Sequence, residues 1–325
     1  MKKAGLLYAL MAVVLVAVVG IGAYVVIDRL SGTSVSVAAV PATETVVTST
    51  AGTSQKTPAY DTTTAYASQD HTGTAYTATD NTYESDTTSI TISKVTSGSG
   101  NSTITYYVAD VRLTAGTLLQ AGLARGFQQG NVDYTSAIAE DNGAILAING
   151  DYCTARNTGI IIRNGVLYLD NPTRMGLALY KDGTVKAYDE LSVSAEQLLA
   201  DGVYNTYSFG PVLLDGGVIP DGLDETEVED IGEEHTILGN QPRTGVGIID
   251  ANHYVFVVVD GRSSGYSRGM SLSELAQVFQ DLGCTTAYNL DGGGSSAMYF
   301  MGELVNNPLG KDRERGISDI LYVGS

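Results

Sequence analysis

Ala287-Tyr288-Asn289-Leu290-Asp291-Gly292-Gly293-Gly294-Ser295-Ser296 begins as an apolar strand and stops at a carboxylate, followed by three glycines and two serines. Glycine lets backbone approach a ligand closely and presents bare N–H groups. An aspartate beside such a turn can catalyse, bind a metal or hold the turn together. Two further apolar runs end in the same way. Ala144–Ile148 runs into Asn149-Gly150-Asp151, and Tyr254–Val259 runs into Asp260-Gly261-Arg262. Continuous apolar runs of this length read as strands buried on both faces.

Three helices separate these strands. Ser271-Leu272-Ser273-Glu274 is a capping box, and Leu272, Leu275, Phe279 and Leu282 fall on one helical face before Gly283. A shorter helix starts at Ser194–Gln197 and stops at Gly202. Another covers Thr135–Asn142, with Gly143 as its stop. Arg163-Asn164-Gly165, Lys181-Asp182-Gly183 and Asp250-Ala251-Asn252-His253 read as hairpin turns. The pattern predicts an α+β fold, a twisted mixed β-sheet with a few packed helices.

Outside this region the chain changes character. Lys2 and Lys3 precede an uninterrupted apolar run from Gly5 to Ile27, long enough to cross a bilayer. Residues 1–29 therefore read as a transmembrane signal-anchor, with a cleaved signal peptide as the alternative, and either sets the remainder outside the cytoplasm. Residues 30–89 are rich in Ser and Thr and poor in Leu, Ile and Phe, and Thr64-Ala65-Tyr66 recurs as Thr74-Ala75-Tyr76. Such a composition predicts a disordered stalk. Residues 90–325 are long enough for one domain with a sizeable core. Within them, Asp221–Glu234 holds eight acidic residues and reads as a surface loop without EF-hand spacing.

The full chain of 325 residues carries 18 basic and 36 acidic side chains, a net charge of −18. That balance argues against nucleic acid as a partner. The chain has two cysteines, Cys153 and Cys284, in no zinc-binding spacing; a disulfide and two free thiols are equal alternatives. Its three histidines are His71 in the expected stalk, His235 in the acidic loop and His253 at a turn, which argues against a Ser–His–Asp arrangement. No lysine follows the glycine run, so it is not a P-loop. What remains is a pocket of carboxylates (Asp151, Asp260, Asp291), guanidiniums (Arg243, Arg262) and glycine amides, suited to a sugar or a phosphoester.

Five motifs in order, Asn149-Gly150-Asp151-Tyr152, Ser208-Phe209-Gly210-Pro211, Pro242-Arg243-Thr244-Gly245-Val246-Gly247, Asp260-Gly261-Arg262 and Asn289–Ser296, carry a family likeness. Together, over about Tyr106–Val323, they resemble the phosphodiester glycosidase family, in particular its bacterial exopolysaccharide-associated branch. The resemblance implies hydrolysis of the bond between an anomeric carbon and a phosphate oxygen in an N-acetylglucosamine-1-phosphodiester-like substrate, within a phosphorylated surface glycan or exopolysaccharide. It implies Asp291 as nucleophile or base, Asp151 as the next candidate, and Asp260 as a residue that orients Arg262 or an ion. Substrate contacts would come from Asn149, Gly150, Gly210, Arg243, Thr244, Arg262, Asn289, Gly292, Gly293, Gly294 and Ser295. Arg315 is a further candidate, with a surface salt bridge as its alternative role. No cofactor is demanded, although aspartates beside a phosphate are also a ligand set for a divalent cation. A second function class uses the same groups without turnover, as a binding or assembly module for phosphorylated cell-surface polysaccharide. A purely structural surface protein would leave five ordered polar strand ends without a role.

Overall fold

The computed structural model describes residues 75–226 and 237–324, together with the backbone of Ser36–Val37 and Tyr66–Gln69. The expected membrane anchor, most of the expected stalk, and the acidic residues 227–236 with His235 lie outside the described residues. Among the described residues no helix is long and apolar enough to cross a membrane.

Strands far outnumber helices in the described chain. The largest sheet orders its strands 212–214, 286–289, 243–250, 253–259, 104–113, 88–97, 82–85, 75–78 and 66–69, with 36–37 paired to 88–97. A five-stranded sheet runs 303–304, 298–300, 144–149, 319–324 and 120–123. Smaller sheets join 185–189, 175–180 and 203–207, and 166–171 with 159–163. The expected mixed sheet is not formed: among the described residues every strand pairing is antiparallel. Hairpin turns such as Arg163–Gly165 and Asp250–His253 connect neighbours directly, and a hairpin can only make an antiparallel pair.

The domain also begins before residue 90. Ala75–Ala78, Thr82–Ser85 and Thr88–Ser97, placed wholly or partly in a stalk by their composition, are strands of the large sheet. Thr and Tyr favour a pleated surface, so a Thr/Tyr-rich segment can pair where a neighbouring strand is available. Tyr83 is buried and stacks on Tyr76 with ring centroids 4.8 Å apart.

The main core lies between the large sheet and the two sheets of five and three strands. Val111, Phe256 and Val258 meet Leu146, Ile148, Leu177, Met298 and Leu321 there. The helices cover outer faces. α1 (Thr135–Asp141) packs Ile138 and Ala139 against Ala147 and Ile320, while α2 (Ala195–Ala200) packs Leu198 with Ile160 and Val203. α3 (Leu272–Asp281) has its Ser271/Glu274 capping box in place and buries Leu275 and Phe279 on the reverse of the large sheet. Gly245 and Gly247 make this close approach feasible, because a Cβ on either would lie 2.8 Å or 2.7 Å from the Phe279 ring.

Strand register brings the motif-bearing ends together. Arg243 pairs with Val259, and Gly245 with Asn289, so Arg243, Asp260 and Asp291 all leave the same edge of the large sheet. The end of Ala144–Asn149 in the second sheet is tied to that edge. Asn149 Nδ2 donates to the Asp291 carbonyl at 2.7 Å, and the Asp291 amide donates to the Gly150 carbonyl at 3.2 Å.

Candidate active site

A cavity of about 420 Å³ opens at this joined edge. Its apolar lining comes from Tyr152, Ala155, Phe209 and Ile237, with Tyr152 and Phe209 edge-to-face at 5.2 Å. Its polar lining comes from Arg243, Arg262, Arg315, Asn289, Asp291, Gly292 and Gly293, with Gln241 and Pro242. Of the expected residues, the fold thus brings Asp291, Asn289, Arg243, Arg262, Gly292 and Gly293 to the cavity. Among the described residues Asp291 is the only carboxylate in its lining. Aromatic rings and cations lining one cavity suit a ligand with a ring at one end and an anion at the other.

Asp291 has a side chain 17% exposed and lies 3.4 Å from Arg315 Nη2, whose side chain is 51% exposed. Burial raises its pKa above the ordinary carboxylate value, against the opposing pull of Arg315 and a hydrogen bond with Ser295. Arg315 also donates to Ser295 Oγ at 2.6 Å and 3.2 Å. Arg262 adopts a left-handed backbone (φ +55°), and its Nε donates to Gln241 Oε1 at 2.8 Å. A Cβ built on Gly293 would lie 3.4 Å from Arg262 Nη2, and one on Gly294 would lie 3.3 Å from Arg315 Cδ. Glycine here lets two guanidinium groups close on one turn.

Several expected contacts turn out to be architectural. Gly293 N–H donates to the Pro242 carbonyl, and Ser295 and Ser296 close a tight turn onto Gly292 and Gly293, so no nest of three bare amides forms. Among the described residues, Gly294 is the one glycine of the three without such a bond. Asn149 is buried; its Oδ1 accepts from Thr244 Oγ1 at 2.7 Å and from the Ala297 amide at 3.2 Å. Asn149 and Thr244 therefore clasp strand ends instead of lining the cavity. Gly150 is set against Asp319, whose carboxylate a Cβ would meet at 2.5 Å. Gly210 receives the Asn289 side chain on its carbonyl at 2.8 Å. Arg243 spends Nε and Nη2 on the carbonyls of Met270, Ile237 and Gly239, and burial lowers its pKa to about 10.

Asp260 does not reach the cavity lining. Its carboxylate accepts from Asn306 Nδ2 (2.7 Å), the Asn307 amide (3.0 Å) and Tyr266 OH (2.7 Å). Burial still raises its pKa above the ordinary value. It ties the 306–307 segment to the sheet and does not orient Arg262. Asp151 is also withdrawn, fully buried between Arg156 Nη2 (3.0 Å), Arg163 Nη2 (3.1 Å) and the Ser208 amide (3.0 Å). Burial alone would raise Asp151, but those partners outweigh it and hold the carboxyl below its ordinary value.

Sequence reading missed the rest of this buried group. Arg163 Nη2 also bonds Asp319 at 2.8 Å, its Nη1 donates to the Thr206 carbonyl, and its guanidinium sits 4.3 Å from the Tyr207 ring centroid. Burial, with Asp151 nearby and Arg163 opposing, raises Asp319 to about 7. The available signals were an arginine ending the apolar run Ile160-Ile161-Ile162, and an aspartate opening Ile320-Leu321-Tyr322-Val323. A charge in such a run demands a partner. Arg156 lies 4.6 Å from the Tyr152 ring centroid and so links this group to the apolar lining.

Asp151, Cys153 and Asp319 offer ligand atoms within 4.8 Å of one another. They do not suit a resident divalent cation. Arg163 already bridges both carboxylates, and burial pushes the Cys153 thiol well above its ordinary pKa, so it is a poor thiolate donor. Both cysteines are free and buried.

The sequence pattern of the family described as phosphodiester glycosidase (NAGPA) matches residues 142–324, more than half of the chain and all of the cavity-forming motifs. The chain belongs to the phosphodiester glycosidase family. A relative, the SPbeta prophage-derived uncharacterized protein YomE of Bacillus subtilis (strain 168), is 30% identical over 200 residues. These cover 59% of this chain and 30% of that protein, so the chain spans less than a third of the relative's length. The fold is similar to the zebrafish N-acetylglucosamine-1-phosphodiester alpha-N-acetylglucosaminidase catalytic domain auto-inhibited by its pro-peptide. The TM-score is 0.58 at 23% identity, covering 73% of this chain and 83% of that one. A hypothetical protein from Synechocystis is similar at TM-score 0.52 and 14% identity, covering 71% of this chain and 61% of its own. Membership of this glycosidase family is thus shown by sequence, and the fold by structure.

Proposed function

We propose that this phosphodiester glycosidase hydrolyses the bond between the anomeric carbon and a phosphate oxygen of a sugar-1-phosphodiester, of the N-acetylglucosamine-1-phosphodiester type, in a surface glycan or exopolysaccharide. The observation that carries the reading is a cavity lined by the Tyr152/Phe209 pair, by Arg262 and Arg315, and by Asp291, its one carboxylate among the described residues. The sugar ring packs on the aromatic pair, and the phosphate lies between the two arginines. Asp291 takes the proton of an attacking water as the water oxygen bonds to C1. The C1–O bond breaks with its electron pair passing to the phosphate oxygen, and the arginines offset the charge that gathers there. A phosphomonoester leaves readily, so one carboxylate suffices where ordinary glycosidases use two. Asp151, with both oxygens bonded inside the protein, serves as a support for Arg156 and Tyr152.

The test is release of sugar from a methyl-phosphoryl N-acetylglucosamine diester and related diesters by the full-length protein, with and without EDTA. Asp291→Asn should lower kcat at least about 100-fold, the scale of a lost general base, with substrate still bound. Turnover unaffected by Asp291→Asn would overturn the assignment. Binding without turnover in the wild-type protein would favour an assembly module. The proposal also sets the domain outside the cytoplasm on a single membrane span, supported by the length of the apolar run Gly5–Ile27. Protease added to intact cells should then destroy the domain, and survival of the domain would refute that location.

A further inference from the structure

Arg315 stands apart from the other cavity arginines. Arg243 is fixed by three carbonyls and Arg262 by Gln241, whereas Arg315 is half exposed and holds Asp291 only at 3.4 Å. Its short bonds go to a neutral hydroxyl, Ser295 Oγ. A phosphate oxygen is a stronger partner for a guanidinium than a hydroxyl or a carboxylate at 3.4 Å. A phosphodiester lodged beside Asp291 would draw on this same cation.

Resting on the glycosidase reading of this cavity, we propose that Arg315 is shared, pairing with Asp291 in the free protein and with the phosphodiester in the complex. Asp291 is a weaker base with the ion pair than without it. It becomes a stronger one when substrate removes that partner, so basicity rises only once the bond to be cleaved is in place. No co-reactant is required, since the proton that Asp291 accepts comes from the attacking water. Among the described residues, the other charged or titratable groups around Asp291 are Arg262, Arg243 and Tyr152 in the cavity lining and Asp151 behind the Gly150 junction. The arginines are held by bonds that phosphate need not disturb, and Asp151 stays paired with Arg156 and Arg163. Arg315 is the arginine of the set whose partners include the Asp291 carboxylate, so it is the one whose change of partner alters the base. It is a positioning residue for the base and a ligand for the anion.

Dimethyl phosphate, which keeps one negative charge across the working pH range, is the probe. Carboxyl ¹³C NMR of the full-length protein labelled at aspartate, with Asp291→Asn to assign the signal, gives the Asp291 titration midpoint with and without the probe. The expected result in wild type is a rise of about one pH unit or more, the scale of losing an opposite charge within about 4–6 Å. In Arg315→Met the midpoint should already be high in the free protein and move little with the probe. Arg262→Met should weaken the probe while leaving the free midpoint near wild type, which separates loss of the anion site from loss of the partner. Equal probe-induced rises in wild type and Arg315→Met would show simple repulsion by the anion and overturn sharing. Failure of the wild-type protein to bind the probe would overturn it too. Turnover of sugar-1-phosphodiesters alongside equal rises would sink sharing and leave the hydrolase. The expected rises without turnover would do the reverse.

Discussion

Replacing Asp319 by Asn should change how stability depends on pH. Asp319 is fully buried and raised to about 7 from 3.8, by burial first and by neighbouring Asp151, against the pull of Arg163. A folded-state pKa above the unfolded one means the native protein holds the proton more tightly. The resulting stabilisation is complete below pH 4 and is lost as pH rises through about 7. A gap of about three pH units corresponds to about 4 kcal/mol at about 1.4 kcal/mol per unit. Urea denaturation of wild type and Asp319→Asn at pH 5, 6, 7 and 8 reads the effect as the difference between the two stabilities. That difference should move by a few kcal/mol in favour of the variant between pH 5 and pH 8, whatever its absolute value. A flat difference would refute the reasoning and mean that Asp319 is ionised throughout, with Arg163 compensating both carboxylates.

Three further changes probe the framework around the cavity. Arg163→Met leaves Asp151 and Asp319 buried without the guanidinium at 3.1 Å and 2.8 Å, and chemical denaturation should register a loss of about 3–5 kcal/mol. Gly247→Ala places a Cβ 2.7 Å from the Phe279 ring and 2.8 Å from Cys284 Sγ, so the melting temperature should drop by the equivalent of about 1–3 kcal/mol; an unchanged value would contradict the tight packing of α3. Asp260→Asn should lower stability by about 1–3 kcal/mol through its bonds to Asn306, Asn307 and Tyr266, while kcat of the folded fraction stays within a few-fold of wild type. A large fall in kcat at unchanged stability would instead return Asp260 to the chemistry.

Local signals carried much of the fold. Ser271 and Glu274 announced α3, Gly143 and Gly202 marked helix ends, and the Asp-Gly turns after Val259 and Leu290 marked the edge where the cavity forms. Features that depend on distant partners were not legible. Asp151 and Asp319 stand far apart in sequence and meet only because antiparallel sheets set them on either side of Arg163. The withdrawal of Asp151 and Asp260 from the cavity has the same origin, since each motif shows the residue but not its partners. Composition also misled at the N-terminal boundary. Ala75–Ser89 contains little Leu, Ile or Phe, yet it extends an existing sheet edge, where backbone bonding to a formed neighbour replaces the need for a core of its own. Arg315 was visible as a charged loop residue, and only the fold set it against Asp291 and Ser295.

Attack at the anomeric carbon is tested most directly by running the hydrolysis in ¹⁸O-labelled water with the full-length protein and locating the label by mass spectrometry. The account predicts ¹⁸O on C1 of the released sugar and an unlabelled phosphomonoester. Label in the phosphate would mean cleavage of the P–O bond by a phosphodiesterase route, and would contradict the role given to Asp291 and the arginines.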